Sequence, residues 1–94
     1  MQVYSKKADE AAYKQYIREN KNNHTIFVLN ITTTGGSMEE ITLHGIWCGN
    51  IQKYAHVSVD FSKRIGGKEE LQRWAKRQSC GLKECSCIQL KPVS

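Results

Sequence analysis

The sequence predicts an α+β domain, an antiparallel sheet with two helices packed on one face, in the order (β)-α-β-β-β-α-β. Three stretches carry that prediction. Residues 51–61, IQKYAHVSVDF, place Ile51, Ala55, Val57, Val59 and Phe61 on one parity and mostly polar residues on the other, the alternation of a half-buried strand. Residues 68–77, KEELQRWAKR, put Leu71, Trp74 and Ala75 on one stripe at helical spacing. Residues 26–31, IFVLNI, are apolar on both parities except at Asn30, as in a central strand covered on both sides. With 39% apolar and 24% charged residues the composition is that of a globular protein, and 94 residues suffice for one domain spanning 1–94.

Taken in order, residues 1–5 (MQVYS) are long enough only for a short edge strand or arm. From Ala8 to Asn20, Ala8, Ala12, Tyr13, Tyr16 and Ile17 line one side of a helix that Ser5 or Asp9 is placed to cap. NKNNH breaks it, and after the central strand TTTGGS supplies a Gly35-Gly36 turn. Residues 39–48, EEITLHGIWC, form the next strand. A three-residue connection, Cys48-Gly49-Asn50, sets Trp47 opposite Ile51, Leu43 opposite Ala55 and Ile41 opposite Val57, which makes one face consistently apolar. That register collects Thr42, His44, Tyr54, His56 and Ser58 on the other face as a polar, aromatic docking surface. SKRIGG then joins strand to helix, with Lys63 and Arg64 projecting, and Trp74 anchors the helix on the sheet. Gly81 ends that helix, and 85–93 forms a last strand with Ile88 and Leu90 inward and Pro92 stopping it. Both helices are expected over the Trp47/Val57 face.

Charge is distributed unevenly. Residues 1–60 carry six basic and six acidic side chains, so the whole net charge of +5 lies in the last third. Lys63, Arg64, Arg73, Lys76, Arg77 and Lys83 are therefore candidate binding residues, joined by His44, Tyr54 and His56 of the open sheet face. No run is long enough to span a membrane and no apolar leader begins the chain, which makes a cytoplasmic location the default expectation.

The four cysteines, Cys48, Cys80, Cys85 and Cys87, read as C-x4-C-x-C with one remote member. Zinc sites more often show two close pairs, but Cys80, Cys85 and Cys87 with Cys48 or a histidine can converge on a tetrahedral ion. Two disulfides, or reduced thiols buried as small hydrophobes, are the other readings.

An enzyme is not expected. No acid is placed to orient a histidine, since Asp60 and His56 would lie roughly 13 Å apart along a strand. Neither an H-x-x-x-H pair nor a phosphate-binding loop occurs. The α-β-β-β-α order, with Lys63, Arg64 and Lys68 near the start of the second helix, resembles the double-stranded RNA-binding domain, which implies phosphate contacts by those residues. Gly66-Gly67 before the helix and Glu69-Glu70 in its first turn depart from that family's pattern. In size and plainness the chain also looks like small phage- or plasmid-encoded inhibitors, anti-CRISPR proteins among them. The expected function is thus a non-catalytic modulator docking on an acidic protein or nucleoprotein. Non-specific nucleic-acid binding by the basic third is the alternative, and a small zinc- or thiol-dependent protein a further one. No small-molecule substrate and no cofactor are implied.

Overall fold

The computed structural model describes residues 1–88, in which a five-stranded mixed sheet is flanked by two main helices. The elements are β1 (Gln2–Tyr4), α1 (Glu10–Glu19), β2 (Phe27–Thr34), β3 (Ser37–Gly45), α2 (Gly49–Lys53), β4 (Phe61–Gly66), α3 (Lys68–Lys76) and β5 (Leu82–Glu84). Apart from the one-and-a-half-turn α2, this is the expected α+β order. No helix among the described residues is long and apolar enough to cross a membrane.

The sheet order is β1-β4-β2-β3-β5, with β3 and β5 parallel and the other neighbours antiparallel. The three middle strands are therefore not a meander. The β2–β3 hairpin is tight: Thr34 pairs with Ser37 across Gly35 (φ 58°) and Gly36 (φ 82°), the two positive φ angles that a type I′ turn requires and glycine supplies freely. A bulge after Thr32 brings Met38 to the same face as Ile41 although their numbers differ in parity.

The stretch 51–61 is the main correction. Ile51 lies in α2, residues 54–60 are irregular, and the third middle strand starts only at Phe61. Ile51 and Ala55 are buried as expected, yet their spacing of four satisfies a helical turn as well as strand parity. Val59, on the same parity, is 73% exposed. The true strand, FSKRIG, is concealed because Lys63 fills an inward position between Phe61 and Ile65. The expected pairing of Trp47 with Ile51 falls with it, since β3 pairs with β2 and β5.

Side-chain alternation along β2 shows that the helices divide between the two faces instead of sharing one. Val28 packs with Ile65, Val57 and the α1 residues Tyr13 and Ile17. Phe27, Leu29 and Ile31 pack with Ile41, Leu43 and the α3 residues Leu71 and Ala75. The topology requires this. Strands β1 and β2 run one way and β3, β4 and β5 the other, so three connections join parallel strands. The path from β4 to β5 crosses the sheet in the opposite sense to that from β3 to β4. A common hand for the crossovers therefore puts α3 on the face opposite residues 49–60.

Near the C-terminus, α3 stops at Lys76, before Gly81, and β5 is confined to Leu82–Glu84. Ile88 joins the α3-side core as expected. The rest of the expected last strand, with Leu90 and Pro92, lies outside the described residues.

Candidate metal centre

Parallel pairing of β5 with β3 aligns Leu43 with Glu84, and the Cys85 N–H continues the ladder to the Leu43 carbonyl at 2.8 Å. Cys85 is thereby delivered beside His44, the next residue of β3. From His44 the chain makes a turn closed by the Cys48 N–H to the Gly45 carbonyl at 3.0 Å, which brings Cys48 back toward the imidazole. One 3-10 turn over Ser86–Ile88 curls Cys87 into the same place. Two pairs, H-x3-C and C-x-C, thus converge from segments about forty residues apart in the chain.

One ligand atom from each of His44, Cys48, Cys85 and Cys87 lies within 4.8 Å of all the others. Cys48 Sγ is 3.6 Å from His44 Nδ1 and 3.9 Å from Cys85 Sγ. A tetrahedral zinc ion with Zn–S near 2.3 Å and Zn–N near 2.0 Å imposes donor–donor edges of about 3.5–3.8 Å, which the two Cys48 separations match, while the widest, up to 4.8 Å, would have to close by about 1 Å on the ion. Gly45 supplies outer support: its N–H donates to Cys87 Sγ at 3.4 Å, the kind of bond that steadies a ligating sulfur. A Cβ at Gly45 would meet the Trp47 ring at 2.3 Å, so only glycine lets that indole lie on the backbone here. The ring also stacks edge-on with Phe27 and His24, each at 5.3 Å between centroids, and walls the centre from the α3 side.

The electrostatics suit a ligand set. Burial, with Lys63 nearby, holds the His44 pKa below its ordinary value and keeps the imidazole neutral. Burial pushes the Cys87 thiol up to about 12. Burial acts on Cys85 in the same direction, but hydrogen bonds from the Cys87 backbone and side chain, Cys48 and Ser86 outweigh it and lower that pKa. The cluster therefore already stabilises one thiolate by the donors around it.

Cys80 belongs to the expected zinc set but sits elsewhere, against the α3-side core on the opposite face. His44 takes its place. The spacing H-x3-C is visible in the sequence, but strand parity places His44 on an open sheet face, whereas in the structure it is 8% exposed.

The other expected binding residues do not form one surface: Lys63, Tyr54 and His56 meet around one cavity, and the rest lie elsewhere. Lys63 is buried, not projecting: its Nζ donates to Asn30 Oδ1 at 2.6 Å, and burial lowers its pKa to about 8. Arg64, on the other face, stacks its guanidinium 4.0 Å from the centre of the Trp74 ring. Arg73 and Lys76 are exposed on α3 and Arg77 just beyond its end, and Lys83 reaches Glu40 at 3.3 Å. Tyr54 and His56 stand in the irregular 54–60 segment, so the open sheet face expected to hold them beside His44 does not form. Comparisons with family models, with curated proteins and with solved structures find no match to this chain.

Proposed function

We propose that the protein is a zinc-stabilised binding domain in which His44, Cys48, Cys85 and Cys87 hold one ion. The observation that carries this reading is the convergence of four nitrogen and sulfur donors within 4.8 Å, with a backbone N–H on one of the sulfurs. Nitrogen and sulfur donors favour zinc over the hard cations, and four protein donors complete its tetrahedron without an open position for substrate. The ion is accordingly structural. It ties the chain beyond β5 to the β3–α2 turn and locks the layer that covers one face of the sheet.

The test is metal content and spectroscopy. Purified protein should carry one zinc per chain, and cobalt should replace it with thiolate-to-cobalt charge-transfer and intense tetrahedral d–d bands. Cys48→Ser, Cys85→Ser and Cys87→Ser should lose the ion, while Cys80→Ser should keep it. Substoichiometric metal in wild-type protein, or equal loss in Cys80→Ser, would refute the centre.

The binding role is supported by α3 and its C-cap, where Arg73, Lys76 and Arg77 are exposed on the face away from the metal centre. Those cations suit an acidic protein or nucleoprotein partner, with non-catalytic modulation as the outcome. Capture from a host lysate of one stoichiometric protein that survives nuclease, and its loss on reversing Arg73 and Arg77 to Glu, is the expected result. Capture abolished by nuclease would instead assign the cations to phosphate.

A further inference from the structure

On the α1 face of the sheet the row Val28, His44 and Ile65 is followed by a row of different character, Asn30, Thr42 and Lys63. Helices α1 and α2 cover the first row. Over the second a cavity of about 440 Å³ remains, floored by Asn30 and Lys63 and walled by Tyr54, His56 and Phe61. A smaller recess of about 160 Å³ shares Asn30, Tyr54 and Lys63 with it and extends inward to His44 and Ile51.

Lys63 is 4% exposed, and among the described residues its only hydrogen-bond partner is Asn30, with no carboxylate in ion-pair range. An ammonium carries three donors, and burying it without an opposite charge is costly. Two of its donors remain for a ligand. Asn30 accepts from Lys63 through Oδ1, which leaves its Nδ2 amide as a further donor on a residue that lines both spaces. The nearest acid to the wall, Glu10, lies 3.6 Å from His56 Nδ1 and is engaged by Lys7, Lys14 and the Val57 N–H. No cysteine lines either space, so the thiols of the metal centre do not face this ammonium. Above the floor, Tyr54 and Phe61 are 56% and 48% exposed, large apolar surface at the mouth of the site.

We infer that this cavity binds a small organic acid, its carboxylate on Lys63 Nζ and Asn30 Nδ2 and a flat apolar body between Tyr54 and Phe61. The volume falls in the range of small-ligand sites, and the combination of apolar walls with a few convergent polar atoms is what such sites share. One buried ammonium matches one negative charge. A phosphate group, with two charges and more acceptors, asks for more donors than this floor has. The inner recess touches the metal centre only through His44, and none of the three cysteine ligands lines the site.

The test is an amide-resolved NMR titration of the zinc-loaded protein with indole-3-acetate, phenylacetate and hexanoate, and with indole-3-acetamide as the uncharged isostere. Saturable shifts should appear at Asn30, Tyr54, His56 and Phe61–Lys63 with the aromatic acids, and the amide should bind roughly tenfold more weakly or worse. Lys63→Met keeps the side-chain volume and should abolish the preference for acid over amide. If that variant does not fold, the acid–amide comparison on wild-type protein decides alone. Equal binding of acid and amide, an unchanged preference in Lys63→Met, displacement of the acids by equimolar inorganic phosphate, or no saturable shift with any of the acids would overturn the assignment.

Discussion

The two faces of the sheet are closed by different means. On the α3 face, Phe27, Leu29, Ile31, Ile41 and Leu43 meet Leu71 and Ala75, apolar residues at the period of their own strand or helix. On the α1 face, four of the six positions in the two central rows of β2, β3 and β4 are His44, Asn30, Thr42 and Lys63, and the chain laid over them from Tyr54 to Asp60 has no regular structure. Burial of apolar area is non-directional, so the first face needs only the correct period. A face that holds an imidazole, thiols and an ammonium must satisfy each of them with a particular partner. The molecule thus has one face organised by packing and one organised by chemistry.

Metal removal should separate the two most strongly. Chelation of the zinc-loaded protein is expected to cost on the order of 5 kcal/mol or more, judged from structural zinc in other small domains. The loss should be local: in hydrogen exchange, residues 44–57 and 85–88 should lose protection first, while the β2–β3 ladder under α3 keeps most of its own. Uniform loss across both faces would mean that the two are one cooperative layer.

Truncation on the packing face comes next in size. Leu71 is fully buried, so Leu71→Ala should cost about 2–5 kcal/mol, and by the same amount with and without zinc. A strongly metal-dependent cost, read from urea denaturation of both forms, would break the separation. Trp74 should matter less than its size suggests. Its ring lies over the edge of the core, partly exposed, with the Arg64 guanidinium 4.0 Å from its centre. Trp74→Ala is expected to cost about 1–2 kcal/mol, of which the cation–π contact supplies roughly 0.5–1.

The same division decides what could be read from the amino-acid sequence. Helices α1 and α3, the central strand and the Gly35-Gly36 turn were legible because local period and turn chemistry agree there with the fold. Where a buried position is polar, the period fails. Lys63 between Phe61 and Ile65 made an inner strand look like a loop, and His44 at an inward position made a buried face look solvated. Ile51, Ala55 and Val57 are all buried, but their common parity does not distinguish an extended strand from a helical turn followed by irregular chain. The metal cluster was half visible: three of its four members are cysteines in the expected set. The choice of His44 over Cys80 depends on β5 pairing in parallel with β3, a long-range fact with no local signature. The Lys63 cavity was partly visible: Lys63, Tyr54 and His56 are all in the expected binding set, but nothing local showed that Lys63 turns inward to Asn30.

Glu10 shows how the irregular cover is held. Its carboxylate accepts from Lys7 Nζ at 2.7 Å and from the Val57 N–H at 3.0 Å, pinning the segment over the cavity to α1. These two bonds, the Lys7 one first, lower its pKa from 4.5 to about 2. A carboxylate depressed in the folded state adds stability that is fully present above its unfolded pKa and disappears as pH falls through the folded one. Wild-type stability should therefore decline between about pH 4.5 and pH 2, a window set by those two values. Glu10→Gln should be less stable near neutrality and lack this part of the decline, so the two melting curves converge in acid. Curves that stay parallel down to pH 2 would release Glu10 from this role.

The smallest expected effect bears on a single atom. Tyr13 is wholly buried on the α1 side, edge-on to Tyr4 at 5.4 Å, and its hydroxyl has no hydrogen-bond partner among the described residues. Burial raises its pKa further above the ordinary tyrosine value, as expected for a phenol that cannot easily carry charge there. With no acceptor among the described residues, this hydroxyl contributes only its desolvation. Tyr13→Phe removes that cost and leaves the ring packing intact, so it should stabilise the fold by up to about 1 kcal/mol, a rise of several degrees in Tm for a chain of this size. A loss of similar size would show that the hydroxyl is bonded in solution, and would make Tyr13 another specific partner on the face organised by chemistry.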